Sequence, residues 1–281
     1  MIKNLIMGAL AFASTMTIGV STAKKLGGYN FNSLMAASSD DVIYYDSTDD
    51  SYVRQYFEGE YGKENIYELR LVSDDSYYVQ NFEQGYLNNM YNNEYGLDSH
   101  SSKKPIDGTC TLVACLGVVN YYSNTLGEFE SDSNTNELYM KVVNACLNAG
   151  CTSRQNGTKA GEVAECVDAS FKRFKSSRRG DTNWYYLLDN IHDAVRWKSA
   201  LIFDLKNHST VVRGTVKYEL TYNKKYTDGM WWWKETKHKK VTETFEFVHI
   251  NEGWGYENGS LIPTSKIYNI HSDQQVTWAK K

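Results

Sequence analysis

The spacing of apolar residues changes once along this chain, near residue 198, and that change limits the folds open to it. Upstream, four stretches carry apolar side chains at helical spacing. Leu112, Cys115, Leu116 and Val119 form the first stripe, and Leu138, Val142, Ala145, Cys146 and Ala149 the second. Asn134 with Glu137 caps the start of the second, and Gly150 ends it. Val163, Cys166, Val167, Phe171 and Phe174 make the third. Trp184, Leu187, Leu188, Ile191 and Val195 make the fourth, opened by Asp181 or Thr182. Downstream, Ala200 to Leu205 is a continuous apolar run with one acid. Thr210 to Val212 and Val216 to Tyr222 cluster β-formers, and Thr244 to Val248 alternates. Asp228-Gly229 is a hairpin signal, with Met230 to Trp233 and Val241 to Ile250 as partner strands. Helices first and strands second predict an α+β fold, with helices packed on an antiparallel sheet.

Ahead of these elements an apolar start gives way to a polar stretch. Lys3, the apolar run Leu5 to Val20 and the small residues Ser21-Thr22-Ala23 read as a signal peptide over 1–23. The expected mature protein is therefore exported, with no membrane partner. Residues 24 to about 60, rich in Ser, Asp, Gly and Asn, read as a linker or loose lead-in. Residues 61–95 read as short strands, as in Ile66 to Leu71, and 96–108 as loop.

Bulk properties narrow the function. The 281 residues, 41% apolar, suffice for one or two cored domains. A net charge of -4 without a basic stripe argues against nucleic acid. Lys237, Lys239 and Lys240 read as a solvated hairpin face. Trp231-Trp232-Trp233 cannot be buried on one side of a strand, because successive side chains alternate faces. Five cysteines are an odd number, so one thiol stays unpaired or bridges to another chain if the compartment is oxidising. Cys146-x4-Cys151 with Cys166 does not match a zinc ribbon or finger. These three read as core thiols or a disulfide, and Cys115 as core packing. No metal or organic cofactor is expected.

Three positions carry chemistry. Cys110 follows Asp107-Gly108-Thr109 and opens the first helical stripe. A thiol there meets the positive end of the helix dipole and free N–H groups, which favour thiolate and can hold an oxyanion. His208 follows the apolar strand, where it can face a helix start across a cleft and act as base. Asn251 ends a later strand and can orient an imidazole, with Trp254 shielding that bond. His249 is an alternative base.

Together these residues occur in the order Cys, His, Asn, and the chain resembles the papain-like cysteine peptidases, most closely their bacterial C39-like and streptopain-like branches. Gly108-Thr109-Cys110-Thr111-Leu112-Val113-Ala114, continuing to Val119-Asn120-Tyr121-Tyr122, is similar to their nucleophile helix. His208 with Val211-Val212-Arg213-Gly214 resembles their His strand. His249-Ile250-Asn251-Glu252-Gly253-Trp254-Gly255 resembles the streptopain-like His-Val-Asn-Trp-Gly-Trp-Gly. The resemblance covers roughly residues 104–270. It implies a two-lobed fold, a helical lobe from about 100 to 198 and a sheet lobe from 199 to 281, within a peptidase domain spanning 96–281. Residues 24–95 would be a pro-segment or N-terminal module. It implies a Cys110-His208-Asn251 triad that cleaves peptide or protein substrates, with Trp254 and Gly108 at the substrate. Two positions depart from the family pattern. Lys104 stands where a Gln oxyanion donor is usual, and Glu252 replaces an aromatic. Gly108-Thr109-Cys110-Thr111 is also similar to the Gly-x-Cys-Thr start of CHAP-type cell-wall hydrolases, although about 100 residues separate Cys110 from His208. The two departures fit a further alternative, a non-catalytic binding protein on the same fold.

Overall fold

The computed structural model describes residues 42–97, 105–106, 109–153, 157–205, 208–229, 234–253, 259–267 and 274–281. The signal-peptide segment, Lys104, Gly108, Met230 to Trp233 and Trp254 lie outside them.

The described chain is α+β, as the change of texture predicts. In chain order its main elements are β1 (Ile43–Tyr44), α1 (Ser51–Tyr61), β2 (Ile66–Asp74), α2 (Gln84–Glu94), α3 (Cys110–Asn120), α4 (Thr135–Ala149), α5 (Val163–Arg173), β3 (Arg179–Asn183), α6 (Leu187–Trp197), β4 (Leu201–Leu205), β5 (His208–Asp228), β6 (Glu235–Asn251), β7 (Ser260–Pro263) and β8 (Gln275–Lys280). The strands form one antiparallel sheet ordered β1-β7-β6-β5-β4-β8-β3, with β2 also paired to β5. Among the described residues, no helix is long and apolar enough to cross a membrane.

β5 is the spine of the sheet. Its first residues pair with β4, from Leu205↔His208 to Leu201↔Val212, and its middle pairs with β2. β6 runs along its other side from Val211↔Asn251 to Asp228↔Glu235, with a bulge between Val212 and Gly214. The sequence reading breaks this strand in two, because Arg213-Gly214 interrupts the β-formers. A bulge accommodates the extra residue without ending the strand. The Asp228-Gly229 signal does mark the end of β5, but pairing resumes only at Glu235, so the connection exceeds a two-residue turn.

Alternation sends Val211 and Ile202 into a core with α3, α4 and α5, and Val212, Leu201 and Phe203 into a second core with α6. α3 is the centre of the first. Every residue from Thr111 to Asn120 is buried, so the helix is enclosed on all sides. Leu116 has no exposed surface, and burying such a side chain stabilises the fold by roughly 1.5–3 kcal/mol. α4 matches its sequence signals: the Asn134 side chain accepts from the N–H groups of Asn136 and Glu137, and Gly150 ends the helix at φ +77°. Cys151 and Cys166 form a disulfide, with Cα atoms 5.5 Å apart, that ties the end of α4 to α5.

Three expectations give way. The lead-in contains β1 and α1, whose Val53 and Phe57 join a third core with Val216, Tyr218, Leu220 and Phe247. Residues 84–94 are helix rather than strand, burying Leu87 and Tyr91 four apart. Asp181 and Thr182 do not open the fourth helix. They sit in β3, paired with Trp278 and Thr277, and α6 starts at Leu187. Residues 42–95 thus contribute β1 and β2 to the same sheet as the remainder.

Candidate functional site

Cys110 is the first residue of α3 and keeps partial exposure. Thr109, before it, places no side chain on the first-turn N–H groups. Its hydroxyl donates instead to Asn88 Oδ1 at 2.7 Å, which also accepts from Tyr139 at 2.8 Å. The helix start is thus anchored while its dipole end stays uncapped by side chains.

The sheet residue next to the Cys110 sulfur is Ser209. Its N–H and hydroxyl, with the Thr111 N–H, act on the thiol. The Ser209 hydroxyl lies 2.7 Å from Thr111 Oγ1 and donates to Asp204, which also accepts from Gln275 Nε2 at 2.7 Å. Burial pushes the Asp204 carboxyl up to about 6, and the Ser209 and Gln275 hydrogen bonds oppose that shift. Burial also pushes the Cys110 thiol up, and Asp204 adds to this. The N–H donors, which lower it, do not compensate. The expected preference for thiolate at the helix start is therefore overridden by desolvation in this conformation.

Asn251 ends β6 and shares a crevice with Cys110, Val113, Ser209, Val211 and Gly253. The crevice measures about 10 Å³, at most the room of a single water. The Asn251 carboxamide is held by other partners, donating to the Val79 carbonyl at 2.6 Å and accepting from Arg213 at 3.2 Å. Segment 79–84 lines this end of the sheet. Gly253 donates to Asn81 Oδ1 at 3.2 Å, and its carbonyl accepts from Gln84 at 2.8 Å. Gln80 also lines the crevice, but its side-chain Oε1 accepts from Asn120 Nδ2 at the far end of α3.

His208 opens β5 and is buried. Its Nε2 donates to the Glu252 carbonyl at 3.0 Å. Burial depresses its pKa, against opposing contributions from Glu252 and Asp204. Ser209 and Val211 point toward α3, so alternation directs His208, Thr210 and Val212 toward the α6 side. The structure thus brings Cys110 and Asn251 to one crevice and engages His208 on a neighbouring carbonyl. His249 is occupied elsewhere: its Nδ1 lies 2.6 Å from Ser76 Oγ, and Tyr45 packs edge-on against the ring. Gly214, opposite His249, is required there, because a Cβ would meet Ser76 and stand 2.8 Å from its nitrogen.

The Asp204-Ser209-Gln275 network escapes the sequence reading. Its one available signal is the single acid in the otherwise apolar run of β4.

Neither the family models, the curated proteins nor the solved structures compared with this chain gave a match.

Proposed function

We propose that this chain is a secreted cysteine peptidase of papain-like type, in a closed resting state, with Cys110 as nucleophile, His208 as base and Asn251 as orienting residue. One observation carries the reading: a cysteine begins the enclosed helix α3, against the antiparallel strand pair that starts at His208 and ends at Asn251. In the productive arrangement His208 takes the Cys110 proton and the thiolate attacks a peptide carbonyl. First-turn N–H groups of α3 hold the oxyanion. The imidazolium protonates the leaving amine, and water hydrolyses the thioester. His208 is adjacent in sequence to Ser209, whose N–H acts on the sulfur, so the two Cα atoms are about 3.8 Å apart. The ring must leave the Glu252 carbonyl for the pair to form.

A second reading, a non-catalytic binding protein, draws support from the burial that raises the thiol pKa and from the narrow crevice. Hydrolysis of a fluorogenic peptide library by the full chain separates the two. Cleavage lost in both Cys110→Ala and His208→Ala supports the peptidase. Cleavage that survives Cys110→Ala, or a chain inert on all peptides and on casein, sinks it.

A further inference from the structure

Four of the five cysteines gather where α3, α4 and α5 meet, away from the Cys110 crevice. The Sγ atoms of Cys146, Cys151 and Cys166 all lie within 4.8 Å of one another, and all three residues are fully buried. Cys115, from the middle of α3, neighbours Cys146 but stands outside this group of three sulfurs. Hydroxyl groups flank the sulfurs. Ser170 Oγ lies 3.4 Å from Cys146 Sγ, and Thr158 Oγ1 lies 3.8 Å from Cys166 Sγ. The peptidase chemistry uses none of these groups.

We propose that this cluster is a redox-gated thiolate site for a soft d10 cation, zinc above all, with Cys146, Cys151 and Cys166 as ligands and Cys115 as the fourth. Tetrahedral zinc–thiolate bonds of about 2.3 Å set sulfurs about 3.8 Å apart, inside the span these three already occupy. Sulfur ligands select zinc over hard cations, and full burial leaves no place for a water ligand, as in closed structural sites. Of the flanking hydroxyls, Ser170 donates to the Cys166 carbonyl at 2.6 Å, and Thr158 is placed to donate to the Cys166 sulfur. The disulfide and the metal exclude each other. A dithiol reductant supplies two electrons and two protons, the Cys151–Cys166 bond breaks, and each sulfur leaves as a thiol while the reductant becomes a disulfide. Each thiol that then binds the ion releases its proton to solvent. The Cys146-x4-Cys151 spacing hides the site, because the remaining ligands come from two other helices.

The test uses the full chain carrying Cys110→Ala, which removes the one cysteine outside the cluster. The chain is reduced with dithiothreitol, freed of it under nitrogen and refolded from urea with cobalt(II). The expected result is thiolate-to-cobalt charge-transfer absorption saturating at one ion per chain, displaced by zinc. It should be absent from the oxidised chain and lost in Cys146→Ser. A reduced chain that is folded by circular dichroism yet shows no such absorption overturns the proposal. Full absorption retained in Cys146→Ser overturns it too.

Discussion

Replacing Asp204 by Asn tests the electrostatics of the site directly. Asp204 is fully buried, and its carboxyl is pushed from 3.8 up to about 6. A carboxyl pKa raised in the folded state means that the unfolded chain ionises first as pH rises. Stability from this group is therefore intact below about 4 and lost as pH climbs to about 6. A shift of roughly two pKa units corresponds to about 3 kcal/mol. Asp204 and His208 attract each other only where both are charged, so this attraction adds nothing at pH 4, where the carboxyl is protonated.

The assay is urea unfolding of wild type and Asp204→Asn at constant ionic strength from pH 4 to pH 7.5. The useful quantity is the wild-type minus variant difference, because other titrating groups cancel in it. Asn keeps an acceptor for the Ser209 hydroxyl but turns an amide toward Gln275, which gives an offset that does not change with pH. The difference should fall by about 2–3 kcal/mol across the window, most of it between pH 4 and pH 6. A difference that stays flat, or that rises with pH, would refute the claim that Asp204 is destabilised by burial.

Three further outcomes follow from the same geometry. Leu116→Ala, at the centre of the largest core, should cost about 2–5 kcal/mol in urea unfolding. Gly214→Ala should cost about 1–3 kcal/mol and release the Ser76 contact to His249, visible as faster amide exchange near residues 75–77. Iodoacetamide labelling of Cys110 in the resting chain should rise with an inflection above the free-cysteine value of about 8.5, because burial holds the thiol protonated. Fast labelling well below pH 7 would contradict the closed arrangement.

What could be read from the sequence follows from where the information is local. α3, α4 and α5 repeat apolar residues over three or more turns, and α4 carries its own cap. α1 and α2 each bury only two side chains amid Tyr, Asn and Glu, so their period is too faint to register. β3 reads Arg-Gly-Asp-Thr-Asn and is a strand only because β8, nearly 100 residues later, pairs with it. Strand formation of that kind belongs to the partner as much as to the segment. Cys110 and Asn251 were identifiable because each sits at an element boundary. Gln275 reaches Asp204 across 71 residues of sequence and leaves no spacing to find, while a disulfide among Cys146, Cys151 and Cys166 stays open in the sequence because their spacing does not choose the pair.

The relation of His208 to Cys110 depends on one extra residue in β5. β6 presents Asn251, His249 and Phe247 on the α3 and α1 side of the sheet. Before the bulge, the β5 residues sharing that side are Ser209 and Val211. After it they are Gly214, Val216, Tyr218 and Leu220. The bulge therefore shifts the phase by one, and in the phase of the second half His208 would face α3 in place of Ser209. Moving the bulge toward residue 208 puts Val212 in the place of Val211 and Thr210, one methyl larger, in that of Ser209, and it also carries Arg213 into the buried place of Val212 opposite Ile250. For the proposed peptidase, this slip supplies the base at the cost of repacking Arg213 against the α6 side of the sheet. Cross-linking distinguishes the two phases. With mild oxidation, Ser209→Cys should form a disulfide with Cys110 in the resting chain, and His208→Cys should not. Addition of a peptide substrate should reverse that preference. If His208→Cys cross-links as readily as Ser209→Cys without substrate, the resting phase described here is wrong. If substrate never changes the pattern, the slip is not how the site is assembled.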